Sequence, residues 1–209
     1  MTIEEAEGAA RTPTSSTRRW GTVTVVSGAL GVACAAGVLL TSPMVPVTRF
    51  SYPFDATWFV VSQLVFAVQH LAMVAGVLGL AALPPPPSRL WRPALVTAGA
   101  ALGLLVGCEL LGILAARADE GSTIAGAVAA AYGLPTVLVG VAFVAVGWVV
   151  GRRHLLPWGR WIPFVFGVWV FVVLLPALAG PAVAGRLALG GWMLLYLLLG
   201  VALVRRERA

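Results

Sequence analysis

The 209-residue sequence has no lysine, only two cysteines and two histidines, and charged residues make up 11% of it. Each shortage removes a class of chemistry. All fourteen basic residues are arginine, which goes with a chain rich in Ala, Val, Gly and Leu, so the missing lysine marks no site. Cys34 and Cys108 lie inside apolar runs and form no C-x-x-C, which excludes a disulfide framework and a zinc ribbon and leaves them as small buried side chains. No H-E-x-x-H and no G-x-S-x-G occur. A membrane haem held by two histidines needs a second deep imidazole, yet His154 sits among polar residues; an intramembrane aspartyl protease needs two Asp within apolar runs, and none is there. The sequence therefore assigns no catalytic residue, no metal and no cofactor.

What is abundant is apolar surface. At 60% hydrophobic residues and a mean hydropathy of +0.96, the chain is too apolar for a soluble domain of its length. Its formal charge of +6 does not point to nucleic acid, because the arginines stand in short groups between apolar runs and make no basic surface interleaved with aromatics. Its partner by composition is the lipid bilayer.

A membrane-crossing helix needs roughly 20 apolar residues. Runs at about 21–41, 57–82, 94–116, 123–150, 162–180 and 184–204 qualify. The expected fold is all-α, a polytopic transmembrane bundle of six spans in one domain, 21–204. Residues 1–20, rich in Ser, Thr and acids, read as a disordered cytoplasmic tail, and 205–209 as a short basic one. The first run is too long for a signal peptide, and "TSPMVPV" after it is no cleavage site, so it reads as an uncleaved span.

Arginine placement orients these spans. With both termini cytoplasmic, Arg11, Arg18, Arg19, Arg89, Arg92, Arg152, Arg153, Arg160, Arg205, Arg206 and Arg208 lie inside, against Arg49, Arg117 and Arg186 outside. Eleven against three is the bias of a cytoplasmic membrane protein. The longest outer segment, Ser42 to Thr57, holds three prolines and reads as a surface cap, with Asp55 or Thr57 as N-cap of the second helix.

Two patterns concern packing. Gly126, Gly133, Gly140 and Gly147 recur every seven residues in the fourth run, and Gly99, Gly103 and Gly107 make a second small-residue face in the third. In lipid such faces let backbones approach closely, and both are expected to be helix seams, with a neighbour in the same chain, in a homo-oligomer or in another membrane protein. Pro135 is expected to loosen the fourth helix and Pro176 the fifth.

One pattern concerns chemistry. In "SQLVFAVQHLA", Ser62, Gln63, Gln69 and His70 fall within an arc of about 120° on the second helix. Glu109 is the one acid deep in any run, and His70 and Glu109 lie about 18 and 22 Å from the inner ends of adjacent antiparallel helices. An ionised acid near the bilayer centre costs about 2.5–3.5 kcal/mol on insertion scales, so Glu109 is expected to be protonated, paired or hydrated. The expected cluster is His70 and Glu109 with Gln63 or Gln69, and Tyr132 within reach from the fourth helix. Two readings stay open: a hydrogen-bond cluster that fixes packing in a binding, accessory or assembly component, or the ligand or proton site of a small carrier.

The stretch "HLLPWGRWIPFVFGVWVF" (His154 to Phe171), a Pro and Trp pair before an apolar helix, resembles uncharacterised six-helix integral membrane proteins of high-GC Gram-positive bacteria. The resemblance implies a fold and a bacterial cell membrane location, and no functional residue.

Overall fold

The structure, a computed structural model, describes residues 14–206. They are helical nearly throughout: α1 (Thr14–Leu40), α2 (Ala56–Ala81), α3 (Trp91–Gly112, continued by a 3-10 turn Ile113–Ala115), α4 (Thr123–Arg153), α5 (Ile162–Leu178) and α6 (Ala182–Arg205). Five of these are long and apolar enough to cross a membrane, and α5, at 17 residues, is a shorter apolar helix. At 1.5 Å per residue α5 is about 26 Å long, just short of a 30 Å hydrocarbon core.

Local chemistry sets several ends. The Asp55 carboxylate accepts from the Trp58 backbone N–H at 2.9 Å and caps α2, and the Ser122 hydroxyl accepts from Ala125 N–H at 3.3 Å and caps α4. His154, in the left-handed region at φ 53°, closes α4 after Arg153. Residues 14–20, part of the segment read from sequence as a disordered tail, instead form the first turns of α1; residues 1–13 and 207–209 lie outside the described residues. The reason is tertiary, since Thr17 and Thr24 are buried where α1 lies along α6.

Consecutive helices pack side by side, and α1 closes against α6. That closure is a glycine seam: a side chain at Gly28 would strike the Leu197 backbone, and one at Gly200 the Val25 backbone. Leu203 and Trp20 both lie against Gly79, and the Arg205 guanidinium lies 5.0 Å above Trp158, so the start of α1 and the ends of α2 and α6 share one end of the bundle with the α4–α5 loop. At the opposite end the α1–α2 loop is stitched to the α3–α4 loop by Phe50 N–H to Ala118 O (3.1 Å), Glu120 N–H to Thr48 O (2.8 Å) and an Arg49–Asp119 ion pair at 3.2 Å.

The glycine faces divide. Gly140 and Gly147 meet α5: a Cβ at Gly147 would overlap the backbone of Phe164, and one at Gly140 would come within 2.8 Å of the Phe171 ring. Gly126 and Gly133 face open space within the chain, as do Gly99, Gly103 and Gly107. Within the chain the seam is confined to Gly140 and Gly147, and for the other five glycines the expected neighbour would have to come from outside the chain. In the register that sets Gly147 against Phe164 and Gly140 against Phe171, the next partner of Gly133 is Leu178, where α5 ends. On α3 the inward face is taken by Ala94, Ala98, Ala101 and Leu105, which leaves the glycines pointing away.

Pro135 stays within the helical run of α4, whose Thr136 hydroxyl donates to Tyr132 O at 2.7 Å. The local irregularity falls in α5, where Val170–Leu174 is a π-helical turn. One turn earlier the Phe166 carbonyl accepts from Trp192 Nε1 at 3.2 Å, and Trp169 Nε1 donates to Ala188 O at 2.9 Å, so indoles from both helices pin α5 to α6. Tyr196, fully buried, accepts from Gly76 N–H at 3.0 Å and donates to Met73 O, fastening α6 to α2. A side chain at position 76 would displace that hydroxyl.

Candidate functional site

The polar stripe of α2 faces inward. Gln63, Gln69 and Glu109 are 6%, 3% and 5% exposed, a degree of burial that polar groups tolerate only with partners. Tyr132 Oη donates to Glu109 Oε2 at 2.9 Å and accepts from Gln63 Nε2 at 3.1 Å, and the same amide lies 3.2 Å from the Glu109 backbone carbonyl. Three helices, α2, α3 and α4, are thereby joined by three side chains. Gly112 is what admits Gln63 here, because a Cβ on it would overlap the amide nitrogen.

His70 Nδ1 stands 3.3 Å from Glu109 Oε1, which is ion-pair distance, but no hydrogen bond forms and that nitrogen is buried without a partner. The cluster thus contains one unspent polar group.

Gln69 goes elsewhere. Its amide donates to Met193 Sδ at 3.0 Å across to α6, and its backbone carbonyl accepts from Ser27 Oγ of α1 at 3.3 Å. Of the residues expected to meet, Gln63, His70, Glu109 and Tyr132 come together, and Gln69, which lines the same cavity, turns its amide to α6 instead.

That cavity, of about 270 Å³, is enclosed by α1, α2, α6 and the α1–α2 loop, with Glu109 reaching in from α3. Its deep end holds Gln63, Gln69, His70 and Glu109; its body is apolar, from Phe59, Phe66, Trp192 and Met193 among others. At the mouth, beside the α1–α2 loop, Arg186 lies 5.4 Å over the Tyr52 ring and donates to Tyr52 O at 3.4 Å. Tyr52 precedes Pro53 through a cis peptide bond, and both line the mouth. The segment expected as a surface cap is therefore the cavity's lid.

A second hollow adjoins this one. It lies between the halves of α1 and α2 nearest their connecting loop, is lined by Cys34, Gly37 and Trp58, and shares Val38, Phe54, Ser62 and Phe66 with the first. Trp58, Gly37 and Leu40 are exposed on this flank, so the shared wall leads sideways out of the bundle.

Sequence reading missed Arg186, Trp192, Met193 and the gaps left by Gly31 and Gly112. Arg186 carried a signal, being a cation one turn into an apolar helix. The rest carried none, because Trp, Met and Gly are ordinary in apolar helices.

In chemical terms the site offers hydrogen-bond donors and acceptors at the closed end of an apolar chamber. Among the described residues no three His, Cys, Asp or Glu side chains gather as a metal set. No family model, curated protein or solved structure matches the chain.

Proposed function

We propose that this chain is a six-span protein of the bacterial cytoplasmic membrane, with both termini inside, that acts as a membrane-embedded binding component without catalysis of its own. Its ligand would be a small, mostly apolar molecule carrying one hydrogen-bonding group. Five long apolar helices and a sixth shorter one, with the start of α1 and the end of α6 at one end of the bundle and the arginine-rich loops beside them, support the topology.

The cavity carries the binding part of the reading. About 270 Å³ is close to the lower size of ligand pockets, and an apolar body with a few convergent polar groups is their usual make-up. The unpartnered His70 Nδ1 beside Glu109 supplies an unused polar position for the ligand's head. The side hollow suits a molecule that arrives from the lipid phase, and the length of the chamber orders it head inward.

The test uses the purified full chain in detergent with 1-aminoanthracene, an apolar fluorescent amine. Saturable enhancement of its emission is expected, and Ser62→Phe, which puts bulk into the wall shared by both hollows, should abolish it while the melting temperature holds. Non-saturable partition equal in parent and variant would refute the reading.

A second reading has its own support, the 3.3 Å approach of an imidazole to a carboxyl at one end of the chamber. A proton-coupled carrier would lose coupled uptake in Glu109→Gln, whereas a binding component keeps ligand affinity within a few-fold.

A further inference from the structure

The described acids are Asp55, Glu109, Asp119 and Glu120, and each belongs to the outer end of the bundle or to its interior. The inner end carries Arg19, Arg89, Arg92, Arg152, Arg153, Arg160, Arg205 and Arg206 with no described acid beside them. Arg89, Arg92 and Arg153 are exposed, Arg19, Arg152 and Arg205 lie over tryptophan rings, and Arg206 and Arg160 are half-buried. Arg160 differs in what it touches. It is half-buried in the α4–α5 loop, and its Nη1 lies against both ring nitrogens of His154, 3.0 Å from Nε2. Among the described residues no acid stands beside Arg160, and its guanidinium keeps N–H donors for an anion.

The surroundings say which anion. Arg160 and His154 border a hollow of about 420 Å³ whose other walls are Trp158, Trp161, Val165 and Leu195. Both indoles are exposed at the bundle's inner rim, the level at which tryptophans meet lipid headgroups. Val165, on α5, and Leu195, on α6, extend the hollow along the apolar flank between those helices. Arg205, stacked on Trp158 at 5.0 Å, brings a second cation to the rim. A soluble phosphate would use the cations and leave the apolar wall idle, while a zwitterionic lipid would place its own ammonium among arginines.

We propose that this hollow is a binding site for one anionic phospholipid, its phosphate on Arg160, its headgroup between Trp158 and Trp161, and an acyl chain along the Val165–Leu195 flank. A guanidinium's planar fork fits two phosphate oxygens at once, which an ammonium does not. The inference needs the helices to cross a bilayer and needs nothing of the cavity at His70 and Glu109, so the two stand or fall separately.

The experiment adds dioleoyl phosphatidylglycerol, dioleoyl phosphatidylcholine or free glycerol phosphate to the purified full chain in neutral detergent and reads the melting temperature and, by native mass spectrometry, the lipid bound. Phosphatidylglycerol should raise the melting temperature and appear as a single retained adduct, with phosphatidylcholine and glycerol phosphate doing neither. Arg160→Gln should lose at least tenfold in adduct affinity, Arg160→Lys an intermediate amount, and Arg92→Gln, in the first turn of α3, nothing. Equal response to the two lipids, a full response to glycerol phosphate alone, or an unaltered Arg160→Gln would overturn the proposal. Should the Arg160 variants fail to fold, bilayer-reconstituted parent protein decides it: brominated phosphatidylglycerol must quench tryptophan emission more than brominated phosphatidylcholine at equal content, and equal quenching refutes the site.

Discussion

A double-mutant cycle between Tyr132 and Glu109 measures whether the buried cluster holds helices together. Tyr132→Phe removes the hydroxyl that donates to Glu109 Oε2 at 2.9 Å and accepts from Gln63 Nε2 at 3.1 Å. Gln63 is left with the Glu109 carbonyl at 3.2 Å, so its amide is not orphaned. Interhelical hydrogen bonds in membranes average about 0.6 kcal/mol with a maximum near 1.7. Two of them set the single-variant cost at about 1–2 kcal/mol. Glu109→Leu removes the acceptor and also frees His70 from the 3.3 Å contact, and the expected coupling to Tyr132→Phe is about 0.6–1.7 kcal/mol. Repeating the cycle with Glu109→Gln, which keeps a carbonyl oxygen for the Tyr132 hydroxyl, should return less than half of that coupling. Reversible unfolding in mixed micelles under added sodium dodecyl sulfate gives each corner. Additivity within about 0.3 kcal/mol for Tyr132→Phe with Glu109→Leu would mean that the two side chains do not share a bond, and the cluster would lose its structural role.

Packing and topology give further expectations. Gly28→Leu and Gly147→Leu each thrust a side chain into a neighbouring backbone and should destabilise the same micelle-unfolding midpoint by more than about 2 kcal/mol, whereas Gly133→Leu, facing open space within the chain, should cost under about 0.5 kcal/mol. Equal tolerance at all three would refute the assigned seams, and a large loss at Gly133 alone would point to a second copy on that face. A reporter active only in the cytoplasm should give signal after Arg89, Arg153 and Arg208 and none after Asp55, Glu120 or Gly185; signal at any of the last three would overturn the proposed orientation.

Much of the candidate site was legible before any coordinates, for a definite reason. Depth along a helix is counted at a fixed rise per residue, so the levels of His70 and Glu109 follow from chain position, and short connections make α2 and α3 neighbours. The expense of a lone acid in hydrocarbon then leads to partners. Which partners was not legible. Gln63 and Gln69 lie on one stripe, yet Gln63 turns to Glu109 through the gap at Gly112 and Gln69 turns to Met193 through the gap at Gly31. That choice is made by side chains on other helices.

The sequence by itself determined the apolar helices and their loops, a cap for α2 at Asp55 or Thr57, the grouping of arginines and the inward need of the polar stripe, because each depends on one segment and its solvent. The tertiary structure alone decided that α1 closes on α6, that Gly147 packs while Gly133 does not, that Arg186 and Tyr52 form a mouth, and that a chamber remains beside Glu109. The physical reason lies in the medium. Lipid and protein interior are equally apolar, so hydrophobic periodicity does not mark the face a membrane helix buries; shape does, and shape is a property of two helices at once.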